Sequence, residues 1–232
     1  MKTRIILPDT DGISEAGSIL RAGGLVAFPT ETVYGLGANA LDATATRRIY
    51  EAKGRPSDNP MIVHVASIDM LNSVAWGVTD EQKALMSKLW PGPITFVLRK
   101  NTGVPEVTTG GLDTVAVRWP SRREAAEIIV AAGVPIAAPS ANLSGKPSPT
   151  TFEDVAEDMD GRIDAIVKGE RTAIGIESTV LDLTSEVPTI LRPGFITKSQ
   201  IEEAVDGEVQ YDPSLFKKPG ADDFHPKSPG MK

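Results

Sequence analysis

Residues 23–40 read GGLVAFPTETVYGLGANA, and this stretch decides the fold. The pair Gly23-Gly24 stops the amphipathic segment 13–22, which predicts a helix ending there. Residues 25–28 form a short uninterrupted apolar run, the pattern of a strand buried on both faces. That run passes directly into a polar loop, residues 29–37. Helix, buried strand and polar loop in this order make the unit of an α/β protein, whose ligands sit beyond the strand ends.

The unit recurs along the chain. Asp42 caps a predicted helix running to about residue 53, and residues 61–65 read as a strand. A helix over 79–89 stops before Pro91-Gly92-Pro93, and a strand over 94–98 follows; Trp90 reads as a core residue. Residues 115–117 are another strand. Ser121 and Glu124 read as the capping box of a helix ending at Gly133, after which 135–138 returns to the sheet. A helix from about 152, strands over 163–167 and 179–183, a run over 188–191 and a last helix from 197 complete the pattern. The expected architecture is one α/β domain over residues 1–206, with a twisted, mostly mixed β-sheet flanked by helices and an open concave ligand site. Residues 207–232 lose any period and gain Pro, Gly, Lys and Asp, so they read as an extended linker or tail in which His225 is exposed.

Composition narrows the chemistry. Of 232 residues 41% are apolar, enough for a sizeable core. A formal net charge of -7 argues against a surface built to neutralise nucleic-acid backbones. The sequence has no cysteine and two histidines, His64 and His225, which excludes disulfides, thiolate nucleophiles and histidine-rich metal centres. No apolar run is long enough to cross a bilayer, so no membrane association is expected and the default compartment is cytoplasmic.

The strand-end loops carry unusual residues. They supply Lys53, Arg55, Arg118 and Arg192 as cations, with Thr30, Thr32, Ser57, Asn59, Ser140, Asn142, Ser144, Ser148 and Ser178 as neutral donors. Guanidinium groups fork onto oxyanions with paired hydrogen bonds, so this set suits a phosphate or carboxylate ligand. No GxxxxGK[ST] loop occurs, and Gly35-x-Gly37-x-x-Ala40 fits the dinucleotide pattern only loosely. Each residue also has a plain local reading. Thr30 and Thr32 suit a turn, Lys53 a solvated helix end, His64 a core position, and Ser140 with Asn142 an Asx-type turn.

The loops resemble a known family. PTETVYGLGANA (29–40), KGRPSDNPMIVHV (53–65), LWPGPITFVL (89–98), GLDTVAVRWP (111–120), PIAAPSANLSGKPSPT (135–150), and ESTVLDL with ILRPG (177–194) resemble, in that order, the blocks of the YrdC-like L-threonylcarbamoyladenylate synthase family. The resemblance implies an ATP-dependent nucleotidyltransferase that condenses L-threonine, bicarbonate and ATP into threonylcarbamoyl-AMP and pyrophosphate, with Mg2+ and no tightly bound organic cofactor. It implies that Thr32, His64, Arg118, Ala138 and Ser178 hold L-threonine. It likewise assigns Arg55, Asn59, Thr114, Ser140, Ser148 and Arg192 to ATP, and Lys53 and Asn142 to phosphate or carbamate. The metal ligands are unassigned, with Glu31 and Glu177 as candidates. The implied partner is a downstream tRNA threonylcarbamoyl transferase complex, with a weak tRNA contact. The alternatives on the same fold are an RNA-binding module and a carbamoyl-adenylate-forming enzyme. Residues 228–232, SPGMK, resemble the start of a block that leads to a second domain in longer members; the tyrosine expected next does not follow.

Overall fold

The computed structural model describes residues 2–216; residue 1 and residues 217–232, including His225 and the SPGMK stretch, lie outside the described residues. The strands are β1 (Arg4–Ile6), β2 (Val26–Pro29), β3 (Tyr34–Asn39), β4 (Ile62–His64), β5 (Ile94–Arg99), β6 (Thr114–Arg118), β7 (Ile136–Ala137), β8 (Ala165–Val167), β9 (Thr179–Asp182), β10 (Thr189–Arg192) and β11 (Gln210–Tyr211). The helices are α1 (Thr10–Arg21), α2 (Ala43–Lys53), α3 (Ile68–Val74), α4 (Asp80–Leu89), α5 (Glu106–Thr109), α6 (Arg123–Ala132), α7 (Phe152–Met159) and α8 (Lys198–Val205). The strands form one sheet in the order β1-β8-β2-β3-β7-β4-β6-β5-β9-β10-β11. Parallel pairs such as β4/β6 and β5/β9 occur in the same sheet as antiparallel ones such as β2/β3 and β5/β6. The sheet is therefore mixed, as the sequence predicts.

Two large cores cover its faces, and a smaller third cluster gathers Ile62, Val97, Ala116, Val180 and Leu191. Along β2, Val26 and Phe28 join a cluster with Leu20, Ile128 and Ile129, whereas Ala27 joins Leu36, Ile49, Val63 and Phe96. Successive strand residues point to opposite faces, so these clusters lie on either side of the sheet. Helices α1 and α6 pack together over the first core. The second core receives Trp90, whose ring meets Phe96 edge-on at 5.0 Å while its Nε1 donates to the Ile94 carbonyl at 2.9 Å.

Some expectations are corrected. Residues 34–37 of the predicted loop are strand: they belong to β3, which folds back on β2 and pairs Val26 with Gly37 and Pro29 with Tyr34. A Cβ on Gly37 would lie 2.7 Å from Phe28 Cε1, so the glycine is there for strand packing. The predicted capping box at Ser121 does not form, because α6 starts after Arg122 with no side-chain cap and Glu124 pairs with Arg122 at 3.1 Å. The sequence-predicted tail begins with structure, since β11 adds to β10 in parallel.

Topology brings the strand ends that matter to one edge of the sheet. Parallel β4 and β6 place His64 beside Arg118 in register. Antiparallel β5 sets Thr95 opposite Arg118, and β9, parallel to β5, sets Val180 beside Thr95. The carboxyl end of β10 returns Arg192 to the same edge.

Candidate active site

A cavity of about 120 Å³ opens at this edge, with room for roughly four waters. Its wall includes Thr32, Arg55, His64, Arg118, Ala138, Ser140, Ser178 and Arg192, all of them singled out in the sequence. Val33, Ile62 and Pro139 add apolar surface, and Glu177 adds one carboxylate.

The floor is a buried turn between β2 and β3. Such a turn must satisfy its own polar groups. Thr30 does this: its hydroxyl donates to the Val33 carbonyl at 2.6 Å and meets the Thr32 hydroxyl at 2.9 Å. The loop after β8 rests on this turn, with Ile174 N donating to the Glu31 carbonyl and Gly175 N to that of Thr32.

Arg118 is 4% exposed and fixed on several sides. Its Nη1 donates to Thr32 Oγ1 at 2.8 Å, and its Nε reaches the Gly92 carbonyl at 3.4 Å. Nη2 lies 2.7 Å from Glu31 Oε1 in a buried ion pair. Burial works against the Glu31 carboxylate, yet Arg118, with help from the backbone N–H groups of Glu31 and Ser121, holds its pKa below the usual value.

His64 is 2% exposed, and neither ring nitrogen has a hydrogen-bond partner among the described residues. Burial, reinforced by the Arg118 charge, pushes its pKa down to about 3, so the ring is neutral at physiological pH. The core reading of His64 therefore holds for burial, and the residue also forms part of the cavity wall.

Gly54 ends α2 in the left-handed conformation (φ 61°), which turns the chain and delivers Arg55 to the wall. One Arg55 amine donates to the Pro60 carbonyl at 3.1 Å, while its buried Nε has no hydrogen-bond partner among the described residues. Arg192 forks onto the Ser178 carbonyl through Nε at 3.2 Å and Nη2 at 2.8 Å. Burial pushes Arg192 down to about 10, with Arg118 and Arg55 adding repulsion against the relief from Glu177. Ser178 Oγ also contacts Thr95 Oγ1 at 2.7 Å.

The remaining sequence candidates stand outside the wall. Lys53 is not a solvated helix end: it is 2% exposed. Its ammonium donates to the carbonyls of Ser140 and Asn142 and weakly to Asn142 Oδ1 at 3.4 Å. An ammonium has three donors, and all are directed into the 140–142 loop. Asn142 in turn donates to the carbonyls of Leu143 and Lys146. Asn59 is buried, and its Oδ1 has no hydrogen-bond partner among the described residues. Thr114 starts β6 opposite Arg99, at the far end of the strand from Arg118. Ser148 donates to Glu177 Oε1 at 2.6 Å. Among the described residues no group of three or more His, Cys, Asp or Glu side chains could hold a metal ion. Glu31 is engaged with Arg118 and Glu177 with Ser148. No helix among the described residues is long and apolar enough to cross a membrane.

The fold and the site define an α/β protein in which guanidinium and hydroxyl groups line a cavity at the strand ends of a mixed sheet. The chain belongs to the Sua5_yciO_yrdC family, described as telomere recombination, whose model matches residues 18–194. It is 53% identical to a threonylcarbamoyl-AMP synthase of Pyrococcus abyssi over 94% of this chain and 63% of that protein. It is 52% identical to one of Bacillus subtilis over 95% of this chain and 62% of that protein. The chain thus spans less than two thirds of the length of these relatives. The crystal structure of P. abyssi Sua5 complexed with L-threonine superposes with a TM-score of 0.93 at 51% identity, covering 99% of this chain and 68% of that one. The YciO structure from E. coli superposes at 0.76 with 26% identity, over 86% of this chain and 98% of that one.

Proposed function

We propose that this chain carries the catalytic site of an L-threonylcarbamoyladenylate synthase, a nucleotidyltransferase joining L-threonine, bicarbonate and ATP. The observation that carries the proposal is the convergence of Arg55, Arg118 and Arg192, distant in sequence, on one cavity beside Thr32, His64 and Ser178. Threonine would occupy the enclosed part, its carboxylate on Arg118 and its polar atoms near Thr32, His64, the Ala138 backbone and Ser178. ATP would extend outward over Arg55, Ser140 and Arg192 toward Asn59, Thr114 and Ser148. Lys53 and Asn142 would support this site by holding the Ser140 loop.

The reaction balances without a covalent protein intermediate. The threonine amine adds to bicarbonate with loss of water, giving N-carboxythreonine. A carbamate oxygen then attacks the α-phosphorus as the bond to pyrophosphate breaks, and pyrophosphate leaves. Both reactants are negative, so positioned guanidinium groups lower their repulsion and stabilise charge on the departing group. Magnesium enters with the triphosphate as part of the substrate, as suits a hard cation held mainly by phosphate oxygens. The product would pass to a tRNA threonylcarbamoyl transferase complex in the cytoplasm. An RNA-binding role has less support, given the net charge of -7.

The test is incubation of the full chain with ATP, bicarbonate and L-threonine. The expected result is pyrophosphate release that needs all three, with threonylcarbamoyl-AMP detected by mass. Arg55→Ala and Ser140→Ala should stay folded and lose this turnover; full turnover in both would overturn the assignment.

A further inference from the structure

Thr95 is the polar residue in the buried stretch of β5, between Ile94 and Leu98. Ile94, Phe96 and Leu98 belong to the second core, whereas Val97 belongs to the third cluster on the opposite face. Alternation puts Thr95 on the face of Val97, opposite Arg118 of β6 and beside Val180 of β9. It is 0% exposed and lies behind the cavity wall, which Ser178 and Arg192 help to form. A valine would suit the apolar neighbours Val97 and Val180 and bring no hydroxyl to desolvate.

The hydroxyl of Thr95 is committed to the site. Among the described residues its partner is Ser178 Oγ, at 2.7 Å. Ser178 Oγ also accepts from Arg192 Nη2 at 3.1 Å. Each hydroxyl has one proton and two accepting lone pairs. If Ser178 donated to Thr95, the Thr95 proton would be buried with no acceptor among the described residues, and such an orphan costs more than one hydrogen bond contributes. If Thr95 donates, its proton is placed, and the two lone pairs of Ser178 are taken by Thr95 and Arg192. What then remains of the serine hydroxyl is its proton, carried by a residue of the wall.

We propose that Thr95 is a positioning residue that fixes the polarity of Ser178: by donating to the serine hydroxyl it leaves Ser178 only a proton to offer, so this point of the cavity selects an accepting oxygen of the ligand. The inference rests on the reading of the cavity as an amino-acid site and adds the kind of atom that Ser178 meets. In L-threonine the carboxylate and the side-chain hydroxyl each supply such an oxygen, whereas the ammonium has donors alone.

The experiment measures L-threonine binding by calorimetry on the full chain without ATP, in the wild type, Thr95→Val, Ser178→Ala and the double variant. Thr95→Val should weaken binding by roughly three- to tenfold, the range spanned by one neutral hydrogen bond. Thr95→Ser, which keeps the hydroxyl, should restore it. Because Thr95 acts through Ser178, Thr95→Val should add nothing once Ser178 is alanine. A side chain that merely supported the strand would weaken binding equally in both backgrounds. Thr95→Ala serves as a second hydroxyl-free variant should the valine variant not fold. Wild-type affinity in Thr95→Val, or its full loss repeated on top of Ser178→Ala, would overturn the inference. Failure of the wild-type chain to bind L-threonine would instead remove the amino-acid site itself, and the inference with it.

Discussion

Lys53 and Asn142, 89 residues apart in sequence, are joined by a hydrogen bond from the lysine ammonium to the asparagine main-chain carbonyl. The same ammonium holds the Ser140 carbonyl, and Ser144 N donates back to the Lys53 carbonyl. A lysine at the end of α2 thus clamps the loop that presents Ser140 to the cavity. Lys53→Met should leave buried carbonyls unsatisfied, costing about 1–3 kcal/mol in urea unfolding, and should weaken ATP-dependent turnover. Native-like stability with full turnover would show that the clamp is dispensable.

Burial pushes Lys53 down to about 7 from an ordinary value of 10.5, with Arg55 adding to the fall and Asp158 opposing it. Between these values the unfolded chain holds a proton that the folded chain lacks. Stability should therefore rise with pH across that window and gain nothing from this group below it. Urea unfolding at intervals from pH 7 to 10 should reveal the slope in the wild-type chain, and Lys53→Met should remove it.

His64 gives a second window on the acid side. Its folded value of about 3 lies below its ordinary 6.5, so the unfolded chain binds the extra proton between them. Stability should fall as pH drops through this range, with a limiting slope of about 1.4 kcal/mol per pH unit. In His64→Leu that part of the acid sensitivity should be absent from thermal or denaturant unfolding.

Arg118→Ala should be among the most damaging single changes in the site. It strands the Glu31 carboxylate in a buried position, and breaking a buried pair from one side costs about 3–5 kcal/mol. Removing both charges, as in Arg118→Met with Glu31→Leu, should recover much of the loss while L-threonine binding stays absent. A double variant no more stable than Arg118→Ala in urea would contradict the account of the pair.

Gly37→Ala tests the packing role of the Gly-x-Gly pattern. The new methyl would sit 2.7 Å from Phe28 Cε1 and 3.0 Å from Ile136 Cγ2. Overpacking of this kind costs about 1–3 kcal/mol, read as a lower urea midpoint.

Helix α2 was legible to the residue, because Asp42 caps it with bonds to Thr44 N and Ala45 N and Gly54 ends it. Strand β3 was not, because Gly35 and Gly37 look like loop residues until Phe28 and Ile136 are seen to fill the space. The three-residue edge strand β1 and the short α3 carry too little pattern to read. Arg55, Arg118 and Arg192 were legible as strand-end and helix-end cations. Their convergence is a property of topology, which resemblance to a family supplies and local pattern does not. The Glu31–Arg118 contact, the place of His64 in the cavity wall and the inward turn of Lys53 depend on long-range packing and have no local signature.

The gathering of guanidinium groups at the cavity has a further consequence. Arg192 feels repulsion from both Arg118 and Arg55, which Glu177 opposes, so the cavity is a place where positive groups push against one another. An anion arriving there relieves that push. Occupancy should accordingly stiffen the molecule as well as fill it, and melting temperature should climb with nucleotide concentration in the logarithmic manner of a tightly linked ligand.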